Sequence, residues 1–273
     1  MNNMHSFADR VSIRAKKLVR PIYKLWCDFG DFWEIFLFRL RYPHVKIYKK
    51  LPTYYSQSGQ DVLLSALLFP LISTSSEYNT VVDIGANDPF LFSNSLYFEE
   101  FYGLRVLAVD PLPGKLEMWK KQRPNAIFEQ IALGSKSGSI NLRIPADDDT
   151  VIDGSSDMYS FTGDKSTRWL PANTSFVESK ARVERLSFLL EKHSIYNVLF
   201  CSIDVEGMEL DVISGIDFSS VNIVCFVVEN NSVNSFGSDG IRIYLKKAGY
   251  TFFARLWGLD DIFIRNDFLA ACR

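Results

Sequence analysis

Two short apolar runs each carry an acidic residue close to their carboxyl end. Residues 79–89 read NTVVDIGANDP, with Asp83 inside the run and Gly85 after it. Residues 104–113 read LRVLAVDPLP, in which Asp110 follows the apolar residues. Such runs are typical of buried parallel strands, and ligands bind outside the carboxyl ends of these strands. An acid after the second strand is placed to accept hydrogen bonds from two ribose hydroxyls, so the pair predicts an adenosine-binding pocket.

The turn after the first run distinguishes between adenosine cofactors. A nicotinamide dinucleotide fold carries three glycines there, so that the pyrophosphate can rest on a helix N-terminus. Here the turn reads GANDPF, with Gly85 as its single glycine, and Asn87, Asp88 and Pro89 occupy the positions of close approach. Asp88 would also repel the pyrophosphate. The turn therefore favours S-adenosylmethionine, an adenosine cofactor without phosphate, and disfavours a nicotinamide-dependent oxidoreductase.

A second set of oxygen-bearing side chains follows two later apolar runs. Asp204 ends the run NVLFCSID at residues 197–204, and Glu229 ends the run at residues 221–229, with Asn230 after it. Because the carboxyl ends of neighbouring parallel strands share one edge of a sheet, these side chains should lie close together. Carboxylate and amide oxygens are the ligands that hard cations prefer. Asp204, Glu229 and Asn230 are therefore candidate ligands for Mg²⁺ or another divalent cation.

Asp204 and Glu206 are the candidate catalytic residues. The methyl group of a sulfonium is already activated, so an enzyme mainly has to align an acceptor oxygen and remove its proton. Either a carboxylate takes that proton or a metal lowers the pKa of the hydroxyl. Asp204 is the first candidate for base or metal ligand, and Glu206 is the alternative. Both acids are also explained as caps of a helix that starts near Gly207.

Several motifs in the same order resemble the FkbM-type methyltransferase family, from Tyr55 to about Phe263. In chain order they are YSQSGQD at 55–61, VVDIGANDP at 81–89, Ser93-Asn94, VLAVDPLP at 106–113, IALG at 131–134, SIDVEGMELDVISG at 202–215, VVEN at 227–230, LKKAGY at 245–250 and DDIFI at 260–264. Pro89 departs from the glycine that many members carry. The resemblance implies a class I methyltransferase fold, S-adenosylmethionine as cofactor and O-methylation.

The local motifs and the resemblance together give one set of candidate cofactor contacts. These are Gln60, Asp83, Gly85, Ala86, Asn87, Asp110, Pro111, Ile131, Ala132 and Asp204. The resemblance contributes Gln60. Ile131 and Ala132 are included because, in a methyltransferase sheet order, the end of the third strand would lie beside the adenine.

Periodicity and turn signals give the remaining elements. They predict helices at 55–70, 93–102, 115–122, 183–193 and 239–248, and strands at 126–132, 139–145, 250–255 and 260–265. Residues 146–180 lack periodicity, which is typical of a lid or of a disordered segment. The predicted fold class is α/β: a Rossmann-like class I methyltransferase with a mostly parallel seven-stranded sheet, helices on both faces and a C-terminal antiparallel hairpin.

Charge divides the chain into a basic extension, residues 1–50, and an acidic domain, residues 51–273. The first 50 residues carry 11 basic and 4 acidic side chains, whereas the remainder carries 19 and 28. The acidic domain argues against nucleic acid as a partner. In the extension, basic residues alternate with aromatic ones, which favours peripheral contact with an anionic membrane surface or with a protein partner. Equally, its aromatic half could fold back onto the domain.

Cysteine usage and hydropathy suggest the compartment. The four cysteines, Cys27, Cys201, Cys225 and Cys272, are scattered without metal-ligand spacing, and two of them fall in predicted core strands. This pattern fits a reducing, cytoplasmic setting. The sequence has no apolar stretch of the length that spans a bilayer, so any membrane association is expected to be peripheral.

The function expected from these observations is O-methylation by S-adenosylmethionine. The expected acceptor is a small molecule or a glycan: a hydroxyl of a sugar first, and of a secondary metabolite second. The alternative from another class is a non-catalytic Rossmann-like binding module, held at a membrane through residues 1–50. Homo-oligomerisation is left open.

Overall fold

The computed structural model describes residues 54–75, 77–145, 175–230 and 239–271. The predictions made for residues 1–50 and 146–174 lie outside these ranges. Within them, none of the helices combines the length and the apolar character needed to cross a membrane.

Strands and helices alternate along the described chain. The strands are β1 Thr80–Ile84, β2 Arg105–Val109, β3 Ile127–Glu129, β4 Ala132–Leu133, β5 Gly138–Pro145, β6 Phe176–Glu184, β7 Asn197–Ile203, β8 Asn222–Glu229, β9 Tyr250–Leu256 and β10 Asp260–Arg265. The helices are α1 Gln60–Thr74, α2 Leu96–Tyr102, α3 Lys115–Gln122, α4 Leu186–Lys192, α5 Glu209–Ser214, α6 Gly240–Lys247 and α7 Asn266–Ala271.

Seven of these strands form the main sheet, in the order β3-β2-β1-β7-β8-β10-β9. All neighbouring pairs are parallel except those of β10, which runs antiparallel to β8 and to β9. In chain order, β2 and β3 are added on one side of β1, and β7 is then added on its other side. The predicted α/β class with a mostly parallel seven-stranded sheet is confirmed, and its switch point lies between β1 and β7.

The main sheet has a hydrophobic core on each face, because its central strands alternate apolar side chains between two helical layers. One core joins Val82, Ile84 and Ile203 to residues of α4, α5 and α6. The other joins Val81 and Phe200 to residues of α1, α2 and α3. All five residues of β1 are buried, which explains its uninterrupted apolar sequence.

A second sheet, of order β4-β6-β5, corrects two sequence predictions. The strand predicted at residues 126–132 is two strands in different sheets: β3 ends at Glu129, and β4, with Ala132, pairs with β6. Residues 176–180, predicted to be irregular, belong to β6, which pairs antiparallel with β5. Most side chains of β6 are exposed or only partly buried, so its sequence lacks the apolar pattern of a core strand.

Three helices begin at least three residues later than the sequence predicts, and the one predicted at 93–102 begins at Leu96. The helix predicted at 183–193 begins at Leu186, because the preceding residues complete β6. The helix predicted at 55–70 begins at Gln60, because the Asp61 carboxylate accepts hydrogen bonds from the N–H groups of Tyr55 and Ser56 and fixes the segment before it as a turn. That turn lies beside the carboxyl edge of the main sheet.

Candidate active site

Four neighbouring strands bring a glycine and three carboxylates to one level at the carboxyl edge of the main sheet. Here β1, β7 and β8 end, and β10, which is antiparallel to them, begins. The registers that align them pair Ile84 with Ile203, Ile203 with Val228, and Glu229 with Asp260. One residue beyond Ile84 and Ile203, Gly85 and Asp204 therefore continue a row with Glu229 and Asp260. We call Asp204, Glu229 and Asp260 the acidic row.

Gly85 packs directly against the main chain of Asp204. A Cβ on Gly85 would lie 1.6 Å from the Asp204 carbonyl oxygen, and Gly85 has a φ of +80°. The N–H groups of Gly85 and Ala86 both donate to the Val109 carbonyl, and the Asp204 N–H donates to the Ile84 carbonyl at 3.0 Å. The ends of β1 and β7 thus meet where only glycine fits.

A cleft opens at this switch point. It is lined by Gln57, Gln60, Asp83, Gly85, Ala86, Asn87, Asp88, Leu91, Phe92, Ser93, Asn94 and Asp204. Among these described lining residues, none is a lysine or an arginine, and three are aspartates. The cleft therefore presents negative charge and hydrogen-bond acceptors to whatever enters it.

Three side-chain oxygens of the cleft lining are buried without a hydrogen-bond partner. They are Oδ2 of Asp83, Oδ1 of Asn87 and Oδ1 of Asn94. The amide nitrogen of Asn94 is used, since it donates to Ser202 Oγ at 2.9 Å. Buried acceptors are rarely left unsatisfied, so the three oxygens point to a ligand that donates hydrogen bonds.

Asp110 closes the turn that carries Asn87. One of its carboxylate oxygens accepts from the Asn87 N–H and the other from the Leu112 N–H, each at 2.9 Å. Trp119 Nε1 donates to the Asn87 carbonyl at 3.1 Å on the other side of the turn. Asp110 is therefore a structural anchor of the turn, and its predicted hydrogen bonds to a ribose stay a prediction.

The structure gathers six of the ten sequence-predicted cofactor contacts in the cleft lining. Gln60, Asp83, Gly85, Ala86, Asn87 and Asp204 are there, whereas Asp110, Pro111, Ile131 and Ala132 are not. Sequence reasoning did not include Asn94 among the contacts, although the Ser93-Asn94 match could have found it. No role was predicted for Asp260 either. An acid at the start of an antiparallel strand reaches this edge only when that strand pairs with β8.

Arg123 secures the wall of the cleft behind Asp83. Its Nη1 donates to the Pro89 carbonyl and to Ser93 Oγ, both at 3.1 Å, and its Nε donates to Glu99 at 2.7 Å. Burial raises the pKa of Asp83, while a hydrogen bond from Ser95 and the charge of Arg123 oppose that shift. Asp83 is thus held in place with one oxygen still directed at the cleft.

Burial and repulsion between carboxylates dominate the electrostatics of the edge. The pKa of Asp204 lies well above its ordinary value because the group is desolvated and faces Glu229, Glu206 and Asp260. Desolvation, with Glu229 and Glu209 nearby, raises the pKa of Glu206 to about 8. Carboxylates whose pKa approaches neutral pH are more effective proton acceptors than ordinary ones.

Helix capping is the alternative explanation of Asp204 and Glu206, but a different residue accepts hydrogen bonds at the start of the helix. Oε1 of Glu209 accepts from the N–H of Gly207 at 2.7 Å and from that of Val205 at 3.3 Å, at the start of α5. Glu209, rather than the two predicted residues, therefore satisfies the donors before the helix. Asp204 and Glu206 remain available for chemistry.

The predicted metal ligands, Asp204, Glu229 and Asn230, stay a prediction. In residues 54–75, 77–145, 175–230 and 239–271, no group of three or more histidine, cysteine, aspartate or glutamate side chains could hold a metal ion. Asn230 is fully buried, and its amide nitrogen donates to Asp261 at 2.8 Å and to Asp239 at 3.1 Å. Its amide group thus joins β10 to the start of α6, which is a structural role.

The comparisons with known proteins agree with this geometry. The family model described as the methyltransferase FkbM domain matches residues 83–252, more than half of the chain. The match begins at Asp83 and includes the switch point, Asp204 and Glu229. No curated protein and no solved structure was found to match.

Gly85→Ala should destabilise the fold by more than about 3 kcal/mol, because the added methyl group overlaps the Asp204 carbonyl and cannot relax without separating β1 from β7. Gly103→Ala is the matched control, with a φ of +66° and open space around the added Cβ. It should cost about 1 kcal/mol, the backbone contribution alone. Urea denaturation measures both, and equal losses would contradict the steric argument.

The raised pKa of Glu206 predicts how stability depends on pH. A carboxyl group that is harder to ionise in the folded state stabilises the fold at low pH, and this contribution is lost as pH rises from about 5 through about 8. Glu206→Gln should therefore gain free energy of unfolding over the wild type across this window, by at most about 1.4 kcal/mol per pH unit. Glu178→Gln, on exposed β6, is the control, and parallel wild-type and Glu206→Gln curves would refute the prediction.

Proposed function

Because the chain belongs to the FkbM methyltransferase family, we propose that it transfers the methyl group of S-adenosylmethionine to a hydroxyl oxygen of a sugar, free or within a glycan. A secondary-metabolite hydroxyl is the second candidate acceptor. One observation carries the proposal: the acidic row begins at the switch-point cleft, with Asp204 belonging to both.

The residues of the cleft fit a cofactor with positive charge. S-adenosylmethionine carries a sulfonium and an ammonium group, and the cleft offers unsatisfied oxygens of Asp83 and Asn94 without a lining cation. In the proposed complex these oxygens accept from the ammonium, and Gly85 keeps the backbone free of a side chain. Asp110, which holds the turn through the N–H groups of Asn87 and Leu112, is the proposed acceptor for the ribose hydroxyls.

When bound, S-adenosylmethionine would supply an activated methyl group for the acceptor oxygen, with the electron pair of the carbon–sulfur bond left on sulfur. Asp204 accepts the hydroxyl proton, since it lines the cleft and burial beside other carboxylates raises its pKa. Glu206, two residues further along, is the alternative base.

Calorimetric titration tests the cofactor. The protein should bind S-adenosylmethionine saturably and should not bind NAD. Asp83→Asn should weaken binding about tenfold, because it removes a buried charge facing the cationic ligand. Asp217→Asn makes the same charge change in an exposed turn before β8, at the opposite edge, and should have no effect. A folded protein without affinity for S-adenosylmethionine would refute the proposal and favour the non-catalytic binding module.

Asp204→Asn tests the base. Methyl transfer to a hydroxyl acceptor should fall at least about 100-fold. The thermal midpoint should stay the same or rise, because the amide removes a desolvated charge from beside Glu229. The measurements are transfer of radiolabelled methyl and thermal denaturation, with Glu206→Gln in parallel. Full transfer by Asp204→Asn with loss in Glu206→Gln would move the base to Glu206.

A further inference from the structure

The turn that joins β9 to β10 carries a tryptophan where the backbone favours a small polar residue. Leu259 N–H donates to the Leu256 carbonyl at 2.9 Å, and the two central residues, Trp257 and Gly258, have φ values of 49° and 76°. Positive φ at both central positions is the mark of a type I′ turn, in which asparagine, aspartate or glycine is usual at the first. The Trp257 ring is nevertheless 81% exposed.

One hydrogen bond of Trp257, together with a neighbouring bond of Gln60, places this tryptophan at the rim of the cleft. Nε1 of Trp257 donates to the Ser58 carbonyl at 3.0 Å, between Gln57 and Gln60, which both line the cleft. Gln60 Nε2 in turn donates to Asp260 of the acidic row at 2.7 Å. The indole is thus tethered by one edge, which leaves its faces open.

Phe92, a second aromatic residue of the cleft, repeats the pattern. Phe92 lines the cleft, is 41% exposed and has a φ of 59°. Of the five described non-glycine residues with positive φ, four lie at this edge: Asn87, Phe92, Glu206 and Trp257. Backbone strain of this kind persists mainly where function maintains it. Packing alone does not explain two strained, exposed aromatic side chains at one polar cleft.

We infer that Trp257, with Phe92 as a second aromatic contact, forms the platform that binds the acceptor, and that the acceptor is an uncharged sugar. This rests on the proposed methyl transfer. The C–H face of a pyranose stacks on an aromatic face, whose quadrupole is negative. Asp204 of the acidic row lines the cleft and accepts hydrogen bonds from the sugar hydroxyls, and an anionic acceptor such as a uronic acid or a phosphorylated sugar would add to the repulsion within the row.

Two substitutions separate a binding platform from a structural strut. Trp257→Phe keeps a ring but loses the hydrogen bond to Ser58. Trp257→Asn loses the ring, while its side chain suits a turn with positive φ. Tyr196→Asn removes another exposed aromatic ring, 56% exposed, from the start of β7 at the opposite edge, and is the matched control.

Ligand-observed NMR titration of the full-length protein, loaded with S-adenosylmethionine, tests the inference with methyl glucoside and methyl glucuronide as probes. Methyl glucoside should bind and methyl glucuronide should bind at least tenfold more weakly. Trp257→Asn should weaken glucoside binding at least tenfold without lowering the thermal midpoint, whereas Trp257→Phe and Tyr196→Asn should stay within about threefold of wild type.

Three results would overturn the platform: wild-type affinity in Trp257→Asn, equal losses in Trp257→Phe and Trp257→Asn, or equal binding of the two glycosides. Binding of S-adenosylmethionine without glycoside binding would likewise reject the platform and leave the proposed methyl transfer standing. Failure to bind S-adenosylmethionine, measured first by calorimetry, would reject the methyl transfer itself.

Discussion

Repulsion between carboxylates at the carboxyl edge of the main sheet is the constraint that the surrounding structure has to satisfy. The sheet order brings the ends of β1, β7 and β8 to the same edge as the start of β10, so acids far apart in sequence become neighbours. Neighbouring strands lie about 4.8 Å apart, which leaves buried like charges only two solutions. Each carboxylate must either accept hydrogen bonds from donor groups or stay protonated.

The structure divides its acids between these two solutions. Asp261 is fully buried, yet Arg242, Asn230 and Arg255 donate to it and hold its pKa below the ordinary value. Asp260, the adjacent residue, faces the other side of the sheet because side chains alternate along a strand, and burial raises its pKa. The pKa of Asp204 is raised well above its ordinary value. Asp261, with its cationic partners, stabilises the scaffold, whereas Asp204, which is surrounded by other carboxylates, lines the cleft.

The sequence could predict features that depend on local pattern, but not those that depend on contacts between elements. The apolar strands β1, β2, β7 and β8, and the glycine after β1, follow from local pattern, since strands buried on both faces need uninterrupted apolar runs. Strand β6 could not be found in this way, because its half-exposed residues pair with β5 across residues 146–174. Nor could the roles of Glu209 and Asn230 be predicted, because which acid receives which donor depends on contacts between elements.

The same electrostatics bear on how the proposed reaction proceeds. Ionised carboxylates are unfavourable when they are buried beside one another in an empty cleft and favourable beside a cation, so a sulfonium near Asp204 would lower the pKa of that group. By linkage, the cofactor then binds more tightly as pH rises through that pKa. Transfer of the methyl group removes the positive charge from sulfur, and the proton taken from the acceptor neutralises Asp204. In the proposed reaction both changes would weaken the attraction between Asp204 and the bound group, so the site would favour the cofactor over its product.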